Sequence, residues 1–258
     1  MKNISAKTAV LCSDVHLSSD TTLLTNAFVN WLNEICLKKS TEKPNWLLIL
    51  GDLFDAWIGD DTMENDKMRI YLVELINVLK KINVAGIKVG IIHGNRDFLI
   101  GEAFCRAIHA DLLPHQVLLL QPETDSSYLL MHGDQLCTDD KEHQIFRKMV
   151  LSKNWKNTFL KKKFEDRLMI ATKMREESYR SKSRKKAEIM DINVSEVEKQ
   201  MRICNSDILI HGHTHKPGKY KLPSGKKRIV LPDWRVCNGQ IIGGGILVDS
   251  RGVNQLSL

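Results

Sequence analysis

The chain has 258 residues, of which 43% are hydrophobic and 27% charged, and its formal net charge is +7. This length is sufficient for one large domain, or one domain with an insertion, whose core needs no disulfides. No apolar stretch reaches the roughly 18 residues of a transmembrane helix, and the N-terminal apolar run is too short for a signal peptide. The six cysteines are spread singly along the chain. We therefore expect a cytoplasmic protein with free thiols.

Short apolar runs alternate with helix-like stretches over the first 135 residues. Strands are predicted at residues 8–13, 46–50, 89–92 and 128–131. Helices are predicted at residues 23–37 and 70–82, where apolar side chains recur close to a 3.6-residue period. This alternation predicts an α/β core with at least partly parallel strands.

The segment from 141 to 203 differs from the rest because it contains neither proline nor glycine. Its composition is helical, and we interpret it as a helical lid inserted between two parts of one core, 1–140 and 204–258. Residues 141–202 hold 18 Lys+Arg and 9 Asp+Glu, a balance of +9, so the remainder carries −2. Such a segment attracts nucleic acid, a phosphorylated ligand or an acidic membrane surface, unless it is simply a solvated helical face.

The last 50 residues contain brief strand candidates separated by turns rich in proline and glycine. A strand at residues 208–210 is followed by candidates at 220–222, 228–231, 234–237 and 244–248. We expect these last four to form an antiparallel run that completes a second sheet.

Acidic, amide and histidine side chains follow five of the predicted strands. The motifs are D-V-H at 14–16, G-D at 51–52, G-N-R-D at 94–97, H-G-D at 132–134 and G-H-T-H at 212–215. Each alone is weak evidence, but strand ends converge on one rim of a sheet, and this mixture of oxygen and nitrogen donors predicts a two-metal hydrolase site. Mn²⁺ suits the donors best, with Fe²⁺ or Zn²⁺ as alternatives. The predicted ligands are Asp14, His16, Asp52, Asn95, His132, His213 and His215.

The order of these motifs resembles the calcineurin-like metallophosphoesterase superfamily. The resemblance implies an α/β fold, the αββα sandwich of two mixed β-sheets flanked by helices, with the inserted helical lid. It also implies that Asp14, His16 and His215 hold one metal ion, that Asn95, His132 and His213 hold the other, and that Asp52 bridges the two. The reaction would be attack of a metal-activated water on phosphorus.

One position departs from the broad superfamily, many members of which carry histidine after the asparagine of G-N-x-D. This chain has Arg96 there. Arginine is no general acid at ordinary pH, but it binds phosphate in a bidentate manner. The substitution fits a phosphate leaving group, which needs no proton to depart, and therefore favours a pyrophosphate substrate.

Longer stretches resemble one family of that superfamily, the UDP-2,3-diacylglucosamine diphosphatases of lipid A biosynthesis. They are residues 53–61, 93–99, 131–140 and 187–193. The resemblance implies cleavage of the pyrophosphate to UMP and 2,3-diacylglucosamine 1-phosphate, two Mn²⁺ ions and a peripheral position on the anionic cytoplasmic face of the inner membrane. By position, Asn95 and Arg96 are the catalytic residues. The implied substrate contacts are Asn95, Arg96, Asp140, Ser178, Lys182, Lys185 and His213.

Two alternatives stay open at this point. The chain could be another two-metal phosphoesterase, such as a phosphoprotein phosphatase or a nuclease, although the apolar content of the basic segment suits a lipid as well as a nucleic acid. It could also be a scaffold of the same fold without activity, which would predict gaps in the ligand set. The set is complete, so we expect an enzyme. We expect a lipid-linked nucleotide as its partner and no nucleic acid; the sequence does not determine the oligomeric state, for which we favour a monomer.

Overall fold

Two six-stranded mixed β-sheets form the centre of the structure, a computed structural model that describes residues 1–38, 43–184, 189 and 191–258. Sheet I contains, in spatial order, β14 (Gly252–Ser257), β13 (Gly244–Asp249), β2 (Ala9–Cys12), β3 (Trp46–Leu50), β4 (Lys88–Ile92) and β5 (Ala110–Leu113). Sheet II contains β1 (Lys2–Ser5), β6 (Val117–Gln121), β7 (Ser126–Leu130), β8 (Ile208–His211), β10 (Lys227–Val230) and β9 (Gly218–Lys221). A separate hairpin consists of β11 (Arg235–Cys237) and β12 (Gln240–Ile242).

Helices pack against both sheets. They are α1 (Thr22–Leu32), continued by a π-helical turn at Asn33–Lys38, α2 (Asp66–Val84), α3 (Glu102–Ala107), α4 (Lys141–Val150), α5 (Lys153–Leu160), α6 (Phe164–Arg184) and α7 (Val194–Ile203). Side chains of α1, α2 and α3 share one apolar cluster with sheet I, and those of α7 share another with sheet II. The predicted four-layer αββα sandwich is confirmed.

The burial of β3 shows why the central strands have continuous apolar sequences. All five of its residues are buried. Leu48 and Leu50 belong to the cluster between the sheets, whereas Leu47 and Ile49 belong to the cluster with the helices. A strand covered on both faces has no position for a polar side chain. Strands β2, β3, β4 and β5 run parallel, so the segments that follow β2, β3 and β4 leave the sheet at one edge.

The prediction that the C-terminal strands form one antiparallel run was wrong. The strands β9 and β10 join sheet II, where β10 lies parallel to β8, whereas β13 and β14 join sheet I beside β2. The physical reason is burial. Ile246 and Val248 of β13 lie between the two sheets, and pairing with β2 gives this buried strand its backbone partners.

The described residues of the predicted insertion at 141–203 form four helices, and the limits of the insertion stay a prediction. Phe159 of α5 is buried in the cluster of sheet I, while Val197 and Met201 of α7 are buried with strands of sheet II. A buried arginine, Arg167 of α6, donates hydrogen bonds to the Ile58 carbonyl and to Asp61. Among the described residues, no helix combines the length and the apolar character needed to cross a membrane. All six cysteines are free thiols.

Candidate active site

The seven predicted metal ligands come from both sheets and meet at one rim. Asp14, Asp52 and Asn95 follow β2, β3 and β4 of sheet I. His16 also follows β2. The other three histidines follow strands of sheet II: His132 comes after β7, and His213 and His215 come after β8. The rim therefore crosses the seam between the sheets.

One group of ligands surrounds Asp14. The Nε2 atoms of His16 and His215 are 3.3 Å apart, and they lie 4.0 Å and 3.4 Å from Asp14 Oδ1. Two imidazole nitrogens this close to each other and to a carboxylate oxygen form a donor set suited to one cation. The sequence prediction placed these three residues together.

A second group surrounds Asn95. Its Oδ1 lies 3.0 Å from His132 Nε2 and 2.8 Å from His213 Nδ1. The carboxylate of Asp52 lies between the two groups: Oδ1 is 3.6 Å from His132 Nε2, and Oδ2 is 4.0 Å from His16 Nδ1. These distances fit the expected bridging position of Asp52, which stays a prediction.

Five of the seven predicted ligands have left-handed backbone conformations. Their φ angles are 53° for Asp14, 55° for His16, 51° for Asp52, 65° for His213 and 52° for His215. This region is uncommon for residues other than glycine, and such outliers persist where the surrounding structure fixes them. The tight turns bring several side chains to one point directly after their strands.

Two glycines allow the loops to approach each other. A Cβ on Gly94 would collide with Oδ1 and the backbone nitrogen of Asp52, and a Cβ on Gly212 would collide with Asp14 Oδ2 and Ser13 Oγ. Every larger residue at either position would therefore displace a predicted ligand.

Asp97 joins the loops that carry Asp52 and Asn95. It is completely buried, and its two carboxylate oxygens accept hydrogen bonds of 2.7 Å from the backbone N–H groups of Leu53 and Gly94. Burial and the nearby charge of Asp52 raise the pKa of Asp97 to about 7. Its part in the G-N-R-D motif is thus to fix the backbone on both sides of the rim.

The electrostatics of the rim favour bound cations. Burial would lower the pKa of His132, but the charges of Asp52 and Asp14 outweigh it and raise this pKa to about 9. The same negative field acts on any cation at the rim. Burial lowers the pKa of His16 to about 4 and holds that of His213 well below its usual value, so both rings are neutral, as metal ligation requires. The donor set and its charge therefore fit divalent metal ions.

A cavity of about 280 Å³ opens beside the rim, underneath α4, α5 and α6. Asn95, Arg96 and Asp140 line its polar end, where Asp140 also caps α4 by accepting a hydrogen bond from the His143 N–H. Its apolar wall consists of Trp57, Ile58, Phe98, Leu99, Phe146, Trp155, Phe159, Ala171 and Met174.

The other predicted substrate contacts lie on or after α6. Ser178 lines the cavity. Lys182 belongs to α6, but its side chain lies outside the described residues, as does all of Lys185. Positions 187, 188 and 190 of the motif at 187–193 also lie outside them.

Sequence reasoning missed two charged residues at the rim and cavity. Arg175 of α6 lines the cavity and forms an ion pair with Asp55, which also accepts a 3.2 Å hydrogen bond from Arg96. Asp233 lies 3.6 Å from His215. Arg175 sits in a helix rich in charged residues, and Asp233 follows a proline in a turn, so only the tertiary contacts distinguish them.

Comparisons with known proteins agree with this geometry. The family profile described as calcineurin-like phosphoesterase matches residues 7–217. The chain is 42% identical to the UDP-2,3-diacylglucosamine hydrolase of Bordetella pertussis over 247 residues, which cover 93% of this chain and 91% of that protein. Proteins of the same name from Chromohalobacter salexigens and Histophilus somni are 37% and 40% identical, over 90% and 88% of this chain and 91% and 92% of theirs.

Proposed function

The chain belongs to the calcineurin-like phosphoesterase family, and we propose that its substrate is UDP-2,3-diacylglucosamine, hydrolysed at the pyrophosphate bond. The products are UMP and 2,3-diacylglucosamine 1-phosphate, an intermediate of lipid A biosynthesis. The observation that carries this proposal is the continuity of the charged rim with the apolar cavity under α4–α6. A substrate with a pyrophosphate next to acyl chains needs both surfaces.

The chain is a metal-dependent hydrolase, and we infer two divalent ions, Mn²⁺ in preference to others. Asp14, His16 and His215 would hold one ion, and Asn95, His132 and His213 the other, with Asp52 shared. Such ions supply a nucleophilic water at neutral pH and neutralise charge on the phosphoryl oxygens. Mixed carboxylate, amide and imidazole donors suit Mn²⁺.

Arg96 is suited to hold the phosphate of the leaving group. Its backbone N–H donates to Asp52 Oδ1 at 2.9 Å, which fixes its position relative to that carboxylate, and its guanidinium faces Asp52 and Asp55. A planar guanidinium binds phosphate in a bidentate manner and stays charged. A phosphate monoester, whose second pKa is roughly 6, leaves without a proton donor, so arginine can replace the histidine of other members. Asn95 contributes its Oδ1 to the rim and also lines the cavity.

The cavity wall supplies the acyl-chain surface, and polar groups at its edge supply contacts to the nucleotide and sugar. Asp140 and Ser178 line the cavity, and we propose that Lys182 and Lys185 contribute from the end of α6 and beyond. Since His213 also borders the rim, metal ligands and substrate contacts overlap there.

We further propose that the enzyme acts as a monomer at the cytoplasmic face of the inner membrane. Apolar side chains on α4 and α6 are exposed, with Ile145 at 71% and Met169 at 64%, and lysines such as Lys148 and Lys173 lie on the same helices. Exposed apolar groups beside basic ones favour an anionic lipid surface. Sedimentation with liposomes should increase with anionic lipid and decrease with salt. Binding that is independent of both contradicts this location.

The proposed reaction is tested by measuring UMP release from UDP-2,3-diacylglucosamine with Mn²⁺ present. A phosphoprotein and a DNA duplex serve as competing substrates for the alternatives. The Asp52→Ala variant should lose metal and activity together, whereas Arg96→Lys should keep the metals and lose turnover because it cannot form bidentate contacts. Absence of lipid turnover by the wild-type protein contradicts the substrate. A scaffold without activity would hydrolyse none of the three.

A further inference from the structure

We propose that Asp233 is a positioning residue that orients His215 toward the metal centre. The inference rests on the proposed function and adds a residue to its site. The Asp233 side chain is 4% exposed, and its Oδ2 lies 3.6 Å from His215 Nδ1. The other ring nitrogen of His215, Nε2, faces Asp14 Oδ1 at 3.4 Å. The two carboxylates therefore lie at opposite nitrogens of one imidazole.

This arrangement selects the tautomer that a metal ligand needs. A carboxylate near Nδ1 favours the proton on that atom, which leaves the lone pair of Nε2 directed toward Asp14 and His16. Histidine ligands generally donate their second N–H in this way, and the partner fixes the ring orientation and strengthens the ligand. At 3.6 Å the two atoms are farther apart than in a hydrogen bond, so the carboxylate acts on the Nδ1 proton through electrostatic attraction.

The backbone around Asp233 is fixed to the strand ends that carry the ligands. The Trp234 N–H donates to the carbonyl of Asp14 at 3.0 Å, and the Leu231 N–H donates to the carbonyl of His211 at 2.8 Å. The indole of Trp234 is buried against Phe28 and donates to the carbonyl of Gly244. The segment that carries Asp233 is therefore hydrogen-bonded to strand ends of both sheets.

A purely structural explanation is that Asp233 exists to bind Arg235, whose Nη1 lies 2.6 Å from both carboxylate oxygens. The chain contains a matched control for this explanation. Asp249 is also buried and pairs with an arginine two residues later, Arg251. The side chains that donate hydrogen bonds to Asp249 belong to Arg251 and Asn254, and neither is a histidine. Replacing Asp233 or Asp249 removes the same kind of pair.

The test measures Mn²⁺ binding to EDTA-treated full-length protein by isothermal titration calorimetry. Urea unfolding of the metal-free proteins measures the stability of each variant. In Asp233→Asn, one of two Mn²⁺ ions should bind about 10- to 100-fold more weakly, the usual effect of removing such a partner. Asp249→Asn should lose comparable stability and bind both ions as the wild type does. Arg235→Met should also keep both affinities, and Asp233→Glu should recover part of the loss.

Three results overturn the inference. The first is Mn²⁺ binding by Asp233→Asn with the affinities of the wild type. The second and third are a loss of Mn²⁺ affinity in Asp249→Asn, or in Arg235→Met, as large as that in Asp233→Asn. If Asp233→Asn does not fold, Asp233→Glu and Arg235→Met are compared instead. The inference then requires weaker binding of one Mn²⁺ ion in Asp233→Glu and wild-type binding in Arg235→Met. A wild-type protein that binds no Mn²⁺ overturns the metal centre and this inference together. Normal lipid hydrolysis and Mn²⁺ binding by Asp233→Asn overturn the inference alone.

Discussion

Removal of Asp61 should destabilise the protein more than removal of Arg167, although the two side chains form one ion pair. The Arg167 side chain is 3% exposed and that of Asp61 is 46% exposed. Asp61→Ala leaves a buried guanidinium with the Ile58 carbonyl as its remaining hydrogen-bond acceptor. Arg167→Met leaves a carboxylate that water reaches, and it replaces the buried cation with an apolar side chain of similar length.

The expected magnitudes follow from these exposures. An uncompensated buried charge costs about 3–5 kcal/mol, so Asp61→Ala should lower the free energy of unfolding by about 3 kcal/mol after relaxation. Arg167→Met loses one hydrogen bond to a carbonyl and a half-exposed pair, about 1–2 kcal/mol together. For a chain of this size, each kcal/mol corresponds to about 2–4 °C in melting temperature, which gives decreases of about 9 °C and 4 °C.

The assay is urea unfolding followed by circular dichroism and tryptophan fluorescence, whose transitions must coincide for the comparison to hold. Asp166→Ala is the control, because it removes an exposed carboxylate next to Arg167 in α6. It should change the free energy of unfolding by less than about 0.5 kcal/mol. If Arg167→Met is as destabilising as Asp61→Ala, the buried charge is not the dominant contribution and the reasoning fails.

Three further results are expected. Gly94→Ala should weaken Mn²⁺ binding at least tenfold in calorimetry, because its Cβ collides with Asp52. Gly86→Ala is the control: it strains a left-handed backbone with φ of 92°, but its Cβ meets open space, so it should bind Mn²⁺ normally. Addition of Mn²⁺ at about 100 times its Kd should stabilise the metal-free protein by about 2.7 kcal/mol for each ion bound, and no shift in thermal unfolding would contradict a metal site. Burial raises the pKa of Asp191, but the hydrogen bond from Lys216 outweighs burial and lowers this pKa. The contribution of Asp191 to folding stability is therefore present above its unfolded-state pKa and is lost as pH falls through its lower folded-state pKa. Asp191→Asn should make the curve of stability against pH flatter in this acidic range.

The positions of the predicted ligands at one rim could be foreseen from the sequence because each motif is local. A strand fixes the direction of the chain, and the residues directly after it, such as Asp14 and Asp52, reach the rim whatever lies elsewhere. The αββα fold followed from the resemblance, and the parallel strands of sheet I followed from the alternation of strands and helices.

The remaining features depend on contacts between distant segments. Arg175 is one arginine among many in α6, and only its ion pair with Asp55 distinguishes it. The brief strand candidates after β8 and the turns between them predict one antiparallel run, whereas the burial of β13 between the sheets decides its place beside β2. Burial of α7 against sheet II depends in part on the same kind of contact: Val197 and Met201 share a cluster with Leu129 of β7, which is distant in sequence, as well as with Leu209 of the following strand β8.

The predicted ligands at the rim come from both sheets, and a metal centre built from them would affect how the molecule opens. A metal centre shared by β2, β3 and β4 on one side and by β7 and β8 on the other is a cross-link between two halves that are otherwise joined mainly by apolar contacts. Neither sheet can then unfold alone without releasing the ions. Loaded protein should therefore exchange the amide hydrogens of both sheets as one cooperative unit, whereas the metal-free protein is free to open one sheet before the other.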